Sequence, residues 1–311
     1  MKTKSKAVLG QISDMDLRLL RVFRAVVDCG GMAAAELELN IGTSTVSRHI
    51  KDLETRLGLT LCRRGRAGFA LTNEGEQIYA QTTALLAATD AFRAGVDEIH
   101  QRMGGQLHLA VFDKTATNPA SHIHQALAAF TREAPSVGLN LHVATLNAID
   151  RGVLDGSWQI GIIPGHRSSE LLRYDRLFDE TMYMYCGASH PLYRAAVDTV
   201  GWADLRGYRF AGLGYHSPNM ELAQRERMIR AATGFDQESI ATLILSGEFL
   251  GFLPDHYAAH FVHMGLMRPI NPGTLGYRCE FFAITRKSPQ PSRATRALLQ
   301  ALVTAHTASK L

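Results

Sequence analysis

The chain has 311 residues, 46% of them hydrophobic and 20% charged, which is the composition of an ordinary globular protein with enough apolar side chains for two or three domain cores. Its net charge of +4 is too small to indicate nucleic-acid binding, and its four cysteines form no Cys-x-x-Cys pair, which argues against a disulfide framework and a zinc knuckle. No apolar run is long enough for a signal peptide or a membrane span, so we expect a cytoplasmic protein without a membrane partner.

The first 72 residues predict three helices followed by a β-hairpin. Apolar side chains recur at helical spacing in the first helix, at Leu17, Leu20, Phe23 and Val27. A short helix around Ala33–Leu37 and a turn at Asn40–Gly42 lead to a third helix, which we expect Thr43 to cap and Gly58 to end. The inward face of that helix holds Val46, Ile50, Leu53 and Leu57. A helix-turn-helix of this kind places the N-terminal end of its second helix in the DNA major groove.

The outward face of the third helix carries short polar and cationic side chains, which suit phosphates and base edges. These candidate DNA-binding residues are Thr43, Ser44, Thr45, Ser47, Arg48 and Lys51. The hairpin that follows has an arginine-rich tip, and its candidates for contact with the DNA backbone are Arg63, Arg64 and Arg66. From Thr43 to Thr72 there are six basic residues against two acidic ones, so the basic charge lies where the motif lies. The sequence therefore predicts a winged helix-turn-helix domain over residues 1–72.

Residues 73–103 predict a long linker helix with a seven-residue apolar repeat. We expect Asn73 to cap this helix, with Glu76 completing a capping box. The repeat consists of Ile78, Leu85, Phe92 and Ile99. Because such a stripe needs a partner helix, we expect it to pair with the same helix of a second copy. A dimer would present two DNA-reading heads to a palindromic site.

Residues 104–311 alternate between strands and helices, which predicts a two-lobed α/β domain with a cleft between the lobes. The first lobe is assigned to 104–163 and 266–311, and the second to 164–265. Ligands of such lobes bind beyond the carboxyl ends of strands and at helix N-termini.

Short polar residues precede a helix that we expect to open at Pro119. These are Thr115, Thr117 and Asn118. With the free N–H groups of a helix start they favour a carboxylate or another small oxyanion, which Lys114 supports and Asp113 opposes. The other effector-binding candidates around the cleft are Thr145, Asn147, Pro164, His166, Gly212, Tyr215 and His216.

Individual residue types along the first 75 positions match the pattern of a known protein family. The positions are Leu20, Phe23, Val26, Val27, Ala34, Ala35, Leu39, Thr45, Val46, Ser47, Ile50, Leu53, Glu54, Leu57, Gly58, Leu61, Arg64, Leu71, Thr72 and Gly75. In these residues and in its domain order the chain resembles the LysR-type transcriptional regulators over nearly its whole length. It departs from their pattern at Gly31, which lacks a helix-capping hydroxyl, and at Met32 and Cys62, which still supply apolar volume. The resemblance implies an effector domain of periplasmic-binding-protein type, a small effector in the cleft, a tetramer, and RNA polymerase as a further candidate partner.

Two groups of reactive side chains leave other functions open. The first group consists of Asp255, His256, His260 and His263. These side chains could hold zinc or nickel, but histidines in such a pattern are more often packing or surface residues. A thiol switch between Cys186 and Cys279 is disfavoured by their apolar, strand-like surroundings.

No hydrolase, zinc-protease, dinucleotide or P-loop motif is present, so we predict neither an enzyme nor a cofactor or metal. The prediction is a homo-oligomeric transcriptional regulator controlled by a small, anionic metabolite. The alternatives are an α/β ligand-binding or enzymatic domain with an autoregulatory DNA-binding head, a redox-sensing regulator, and a non-specific nucleoid protein.

Overall fold

A computed structural model describes residues 10–65, 68–100, 103–165 and 168–308. The chain divides into two compact units, residues 1–93 and 94–311. No helix of the described ranges combines the length and the apolar character that crossing a membrane requires.

The first unit confirms the predicted winged helix-turn-helix. Its elements are α1 (Asp14–Asp28), α2 (Met32–Leu39), α3 (Thr43–Leu57), β1 (Cys62–Gly65), β2 (Gly68–Leu71) and the greater part of α4 (Asn73–Ile99). The two strands pair antiparallel as the hairpin. Asn40 closes α2 and Gly58 closes α3, both in the left-handed backbone conformation that ends helices. The core that these elements enclose is centred on Phe23, Val26 and Ile50.

Two helix caps differ from the sequence prediction. The N-cap of α3 is Gly42, because Thr43 is already helical and its hydroxyl donates to Glu36 of α2. Helix α4 begins at Asn73, and its first turn is capped by Thr72, whose hydroxyl accepts from the N–H of Gly75 at 2.9 Å. In each case the cap lies one residue earlier than the residue that we expected.

The apolar stripe of α4 has a buried half and an exposed half. Ile78 and Leu85 pack against the core of the first unit. Phe92 is 74% exposed and Ile99 is 80% exposed. Ile78 and Leu85 thus find their packing partners within one chain. The predicted dimer contact therefore depends on the exposed half of α4, with Phe92 and Ile99.

The second unit is an α/β domain built on one mixed sheet. Its first elements are β3 (Gly105–Val111), α5 (Ile123–Glu133), β4 (Val137–Val143), α6 (Leu146–Asp155), β5 (Ile160–Pro164) and β6 (Leu172–Gly187). Then follow α7 (Trp202–Leu205), β7 (Phe210–Leu213), α8 (Pro218–Arg225), β8 (Arg230–Gly234), α9 (Gln237–Leu245) and β9 (Leu250–Pro254). The last are α10 (Asp255–His263), β10 (Met267–Pro269), β11 (Gly276–Arg286) and α11 (Arg293–Ala308). The strand order is β4-β3-β5-β11-β6-β9-β7-β8, with β10 also paired to β6.

The long antiparallel strands β6 and β11 connect the two lobes. The first part of β6 lies in the core of the first lobe, which includes Leu177 and Phe178, and its last part lies in the second lobe, which includes Met182. Met267 and Leu275 also belong to the cores of the second lobe. The chain therefore crosses within β6 and returns within β11, later than the boundaries placed at residues 164 and 266.

Two segments beside the cleft fold differently from the prediction. Helix α5 begins at Ile123 and not at Pro119, because Asn118 makes a separate turn in which its side chain accepts from Ala120 and its carbonyl accepts from Ser121. The helical pattern of the sequence predicts one helix over 219–232, but α8 ends at Arg225 and residues 230–232 form the first part of β8. Arg227, with φ of 61°, turns the chain out of the helix.

Candidate functional site

The outward face of α3 presents its polar side chains to solvent. Ser44, Arg48 and Lys51 are exposed, whereas Thr43 and Thr45 are half-buried, as is Ser47. Buried side chains at the intervening helical positions hold the opposite face against the core. Short donors and two cations thus lie along one accessible helix face, which is the arrangement that base edges and phosphates require.

An ion pair between a buried carboxylate and a partly exposed arginine connects the C-terminal end of α3 to the start of α1. Asp16 has a side chain only 1% exposed, and it accepts from Nε and Nη2 of Arg56, the latter at 2.8 Å. Ser13 completes the capping box of α1 by donating its N–H to the same carboxylate at 2.8 Å. The Arg56 hydrogen bond, followed by those from Ser13, lowers the pKa of Asp16 to about 2. The charged carboxylate therefore links the C-terminal end of α3 to the start of α1.

The hairpin is attached to α3 through Glu54. Its Oε1 atom accepts from the N–H of Leu61 at 2.7 Å and from that of Cys62 at 3.2 Å. Arg63, which was predicted to lie in the tip of the hairpin, is an exposed residue of strand β1. Arg64 lies in β1 opposite Phe69, but its side chain lies outside the described part of the structure, as does Arg66 altogether.

A cavity of about 280 Å³ lies between the two lobes at the ends of their strands. The first lobe contributes Phe112, Asp113, Lys114, Val143, Ala144 and Thr145. The second lobe contributes Tyr215, Phe235, Asp236 and Glu238. Its position matches the ligand site of open α/β sheets, and its size suits a small molecule.

Of the predicted effector-binding residues, Thr145 and Tyr215 line this cavity. The others have different surroundings. Asn118 is buried and donates its side-chain amide to the carbonyl of Asp179. Thr117 is exposed, and its hydroxyl lies 2.8 Å from Nδ1 of His256.

The remaining candidates that the structure describes are not among the residues that line the cavity. Thr115 is buried in a 3-10 turn, and Pro164 is a buried residue of β5. Gly212 is inside β7, where a Cβ atom would collide with Met220. His216 pairs with Glu221 at 3.0 Å. Asn147 is exposed, and His166 lies outside the described residues.

Three contacts join the lobes around the cavity. The Lys114 ammonium forms an ion pair with Glu238, and Asp113 Oδ2 accepts from the backbone N–H of Gln237 at 2.7 Å. Thr117 meets His256, whose other ring nitrogen lies 3.0 Å from the buried carboxylate of Glu180 on β6. The loop after β3 therefore contacts the N-termini of both α9 and α10, and Asp113, Lys114 and Glu238 also line the cavity.

Burial dominates the electrostatics of this region. It raises the pKa of Asp113 to about 6, despite the hydrogen bond from Gln237. Burial also raises the pKa of Glu180, and the hydrogen bond from His256 opposes that rise. Asp236 behaves differently, because hydrogen bonds from the hydroxyl and N–H of Ser239 lower its pKa. Asp113 is thus a partly buried carboxyl group whose pKa is raised to about 6.

The histidines of α10 and the two cysteines Cys186 and Cys279 make packing and hydrogen-bond contacts within the fold. His256 hydrogen-bonds to Thr117 and Glu180, and His260 packs edge-on against Phe261. Within the described ranges, no three His, Cys, Asp or Glu side chains come together as a metal site. The sulfur atoms of Cys186 and Cys279 are buried in the cores of different lobes, and burial raises the pKa of Cys186 to about 11.

A second, larger cavity of about 610 Å³ lies beside β6 and the start of α10. Of the predicted effector residues that the structure describes, only Asn118 lies in its wall. Two arginines in that wall are engaged by acidic neighbours, Arg176 by Asp179 and Glu280, and Arg278 by Asp179. The smaller cavity, in contrast, lies at the strand ends of both lobes.

Sequence reasoning missed most of the cavity wall. The residues after β3, Asp113 and Lys114, were considered only as neighbours of the hydroxyl groups, although they directly follow a buried strand. Phe235, Asp236 and Glu238 follow β8, and a correct prediction of that strand would have placed them at the cleft.

Two family models match the chain. The one described as "Bacterial regulatory helix-turn-helix protein, lysR family" matches residues 17–76, and "LysR substrate binding domain" matches residues 100–307. The chain is 39% identical over 294 residues to the HTH-type transcriptional activator BauR of Pseudomonas aeruginosa, which covers 94% of this chain and 96% of that protein. It is 26% identical to the probable HTH-type transcriptional regulator LrrA of Synechococcus elongatus, over 90% of this chain and all of that one.

Solved structures share the fold. Full-length CbnR in complex with its target DNA aligns with a TM-score of 0.61 at 21% identity, covering 93% of this chain and 99% of that one. A full-length OxyR variant from Pseudomonas aeruginosa aligns with a TM-score of 0.56 at 18% identity, over 94% and 95% of the two chains. The predicted domain order, from the winged helix to the two-lobed α/β domain, is thereby confirmed.

Proposed function

The chain belongs to the LysR family of bacterial transcriptional regulators, and from this premise we propose that it binds a specific operator through α3 and responds to a small molecule held between the lobes of its second unit. Like its relatives, it is a transcriptional regulator and not an enzyme. The observation that carries the DNA-binding half of the proposal is the exposed face of α3, with Arg48 and Lys51 projecting from a helix anchored by the Asp16–Arg56 pair.

The cavity supports the effector half of the proposal. Its wall comes from both lobes, so a ligand that fills it makes contacts that depend on how the lobes are set against each other. Differential binding to two lobe arrangements is the means by which a ligand shifts a conformational equilibrium. In this proposal the protein works in the cytoplasm as a homo-oligomer, in which Phe92 and Ile99 contribute to contact between copies. RNA polymerase is a further partner of the proposed assembly.

Replacing the two cations of α3 tests the DNA-binding half. We expect Arg48→Ala in the full-length protein to weaken operator binding by about 5- to 150-fold and to relax base preference, because a bidentate base contact contributes about 1–3 kcal/mol. Lys51→Ala should reduce the salt dependence of binding by about one phosphate contact. Arg132→Ala, which removes an exposed cation from α5, is the matched control. Unchanged affinity and base preference in both α3 variants would refute the assignment of this face.

A further inference from the structure

The cavity wall carries more acidic than basic side chains. It contains the carboxylates of Asp113, Asp236 and Glu238 and one cation, Lys114. The Lys114 ammonium is occupied, because it forms an ion pair with Glu238 and lies 4.6 Å above the centre of the Tyr257 ring. Asp113 and Asp236 form no ion pair with another described residue. This charge distribution opposes the anionic effector that the sequence suggested.

Buried hydrogen-bond acceptors near Asp113 have no donor among the described residues. Its Oδ2 atom accepts from Gln237, but its buried Oδ1 atom has no partner in that part of the chain. Gln237 is 2% exposed, and its side-chain oxygen Oε1 also lacks a partner there, as does the buried hydroxyl of Tyr215 in the cavity wall. A carboxylate oxygen and an amide oxygen can only accept, so the group that complements this site is a donor. Leaving such acceptors unsatisfied is costly for a folded protein.

We propose that the ligand of this cavity carries a protonated amine, whose N–H groups donate to Asp113 Oδ1 and whose charge is balanced by Asp113 and Asp236. An ammonium group offers three donors and one positive charge, which are the two properties that complement the wall. The inference rests on the proposed function, since it identifies the chemical class of the effector in the same cavity. Apolar side chains in the wall, Phe112, Val143 and Phe235, accommodate a short carbon chain.

The far end of the ligand can be polar. Thr145 stands in the same wall at the N-terminus of α6, and its hydroxyl makes no capping hydrogen bond. The positive end of the α6 dipole accepts a carboxylate or a hydroxyl. Small amines and amino acids with a terminal amine are therefore both members of the proposed class.

The ammonium contact has a predicted pH dependence. Burial raises the pKa of Asp113 to about 6, and the charged groups that act on it are Asp236, Glu180 and Lys114, with the neutral hydroxyl of Tyr215 nearby. An ionised carboxylate binds an ammonium and a protonated one does not. Binding should therefore tighten as the pH rises through about 6, and it should weaken below that value.

The test is calorimetric titration of the full-length protein with ligand sets matched in chain length. Each set consists of a terminal amino acid, the carboxylic acid without the amine and the amine without the carboxylate, with three to six carbons. We expect at least one amine-bearing compound to bind at least tenfold more tightly than its matched acid. We expect Asp113→Asn to weaken that binding at least tenfold and Asp198→Asn, an exposed control in the same unit, to leave it unchanged.

The outcomes separate this inference from the proposed function. Binding by acids alone, binding by none of the amines, or an Asp113→Asn variant with full affinity for the amine would overturn the inference. Operator binding measured in parallel tests the proposed function on its own. If the protein binds its operator and responds to an acid, the proposed function stands and the ammonium ligand is refuted. If it binds amines but not DNA, the ammonium ligand stands and the proposed function is refuted.

Discussion

Replacing Asp113 by Asn is expected to stabilise the ligand-free protein. A pKa of about 6 in the folded state, against an ordinary value of 3.8, means that the fold disfavours the charged form by about 3 kcal/mol at neutral pH. Asparagine is uncharged, and its side-chain oxygen can still accept from the N–H of Gln237. Because Asp113 is only partly buried, solvent screens part of its charge, and we expect a gain in unfolding free energy of about 1–2 kcal/mol at pH 7.5.

The gain should depend on pH with a defined sign. Since the folded pKa of Asp113 is raised, ionisation destabilises the folded state fully above about pH 6, and the penalty disappears below 3.8. The stability difference between Asp113→Asn and the parent protein should therefore shrink as the pH falls from 6 to 4.

Tryptophan fluorescence during urea unfolding measures this difference selectively. The chain has two tryptophans, Trp158 and Trp202, and both lie in the second unit, one against the core of each lobe. Asp198→Asn, which neutralises an exposed carboxylate of the same unit, should change the midpoint very little. An Asp113→Asn protein that is less stable than its parent, or a gain that is equal at pH 4 and pH 7.5, would refute the reasoning.

Two predictions concern α4. A Cβ atom at Gly75 would collide with the backbone oxygen of Leu61, so Gly75→Ala should destabilise the first unit by about 2 kcal/mol or more and abolish operator binding. Gly95→Ala, in open space on the same helix, should preserve operator binding. Equal stability and equal operator binding of the two variants would contradict the packing at Gly75. Phe92→Asp should give a lighter species than the parent in sedimentation velocity, because it places a charge on the exposed apolar half of the helix, while Gln81→Asp, at an exposed polar position, should leave the mass unchanged. A Phe92→Asp protein of unchanged mass would exclude this face as a contact between copies.

The winged helix could be predicted from the sequence because its signals are local. The periodicity of α3 and its Gly58 terminator lie within one helix, and the hairpin follows directly. The caps were each misplaced by one residue for tertiary reasons, since Thr43 bonds to Glu36 of another helix and Thr72 bonds to the segment before β1. A local pattern does not reveal such partners.

The second unit was harder to predict because its strands are defined by their neighbours. The middle of β6 contains Asp179 and Glu180, which resemble a break between strands, but these residues pair with β11 where the chain passes between the lobes. The residues of β8 are polar and alanine-containing, and they form a strand because β7 lies beside them. The cavity wall depends on that strand, so the acidic residues after it were missed as well.

The central claim is that this chain recognises a particular DNA sequence through α3. The most direct measurement is footprinting of the full-length protein on the DNA flanking its own gene, across a salt series and with specific and scrambled competitor DNA. We expect a discrete, roughly palindromic protected site that survives scrambled competitor and is lost in Arg48→Ala. Protection that spreads without sequence preference, or no protection at low salt, would contradict it.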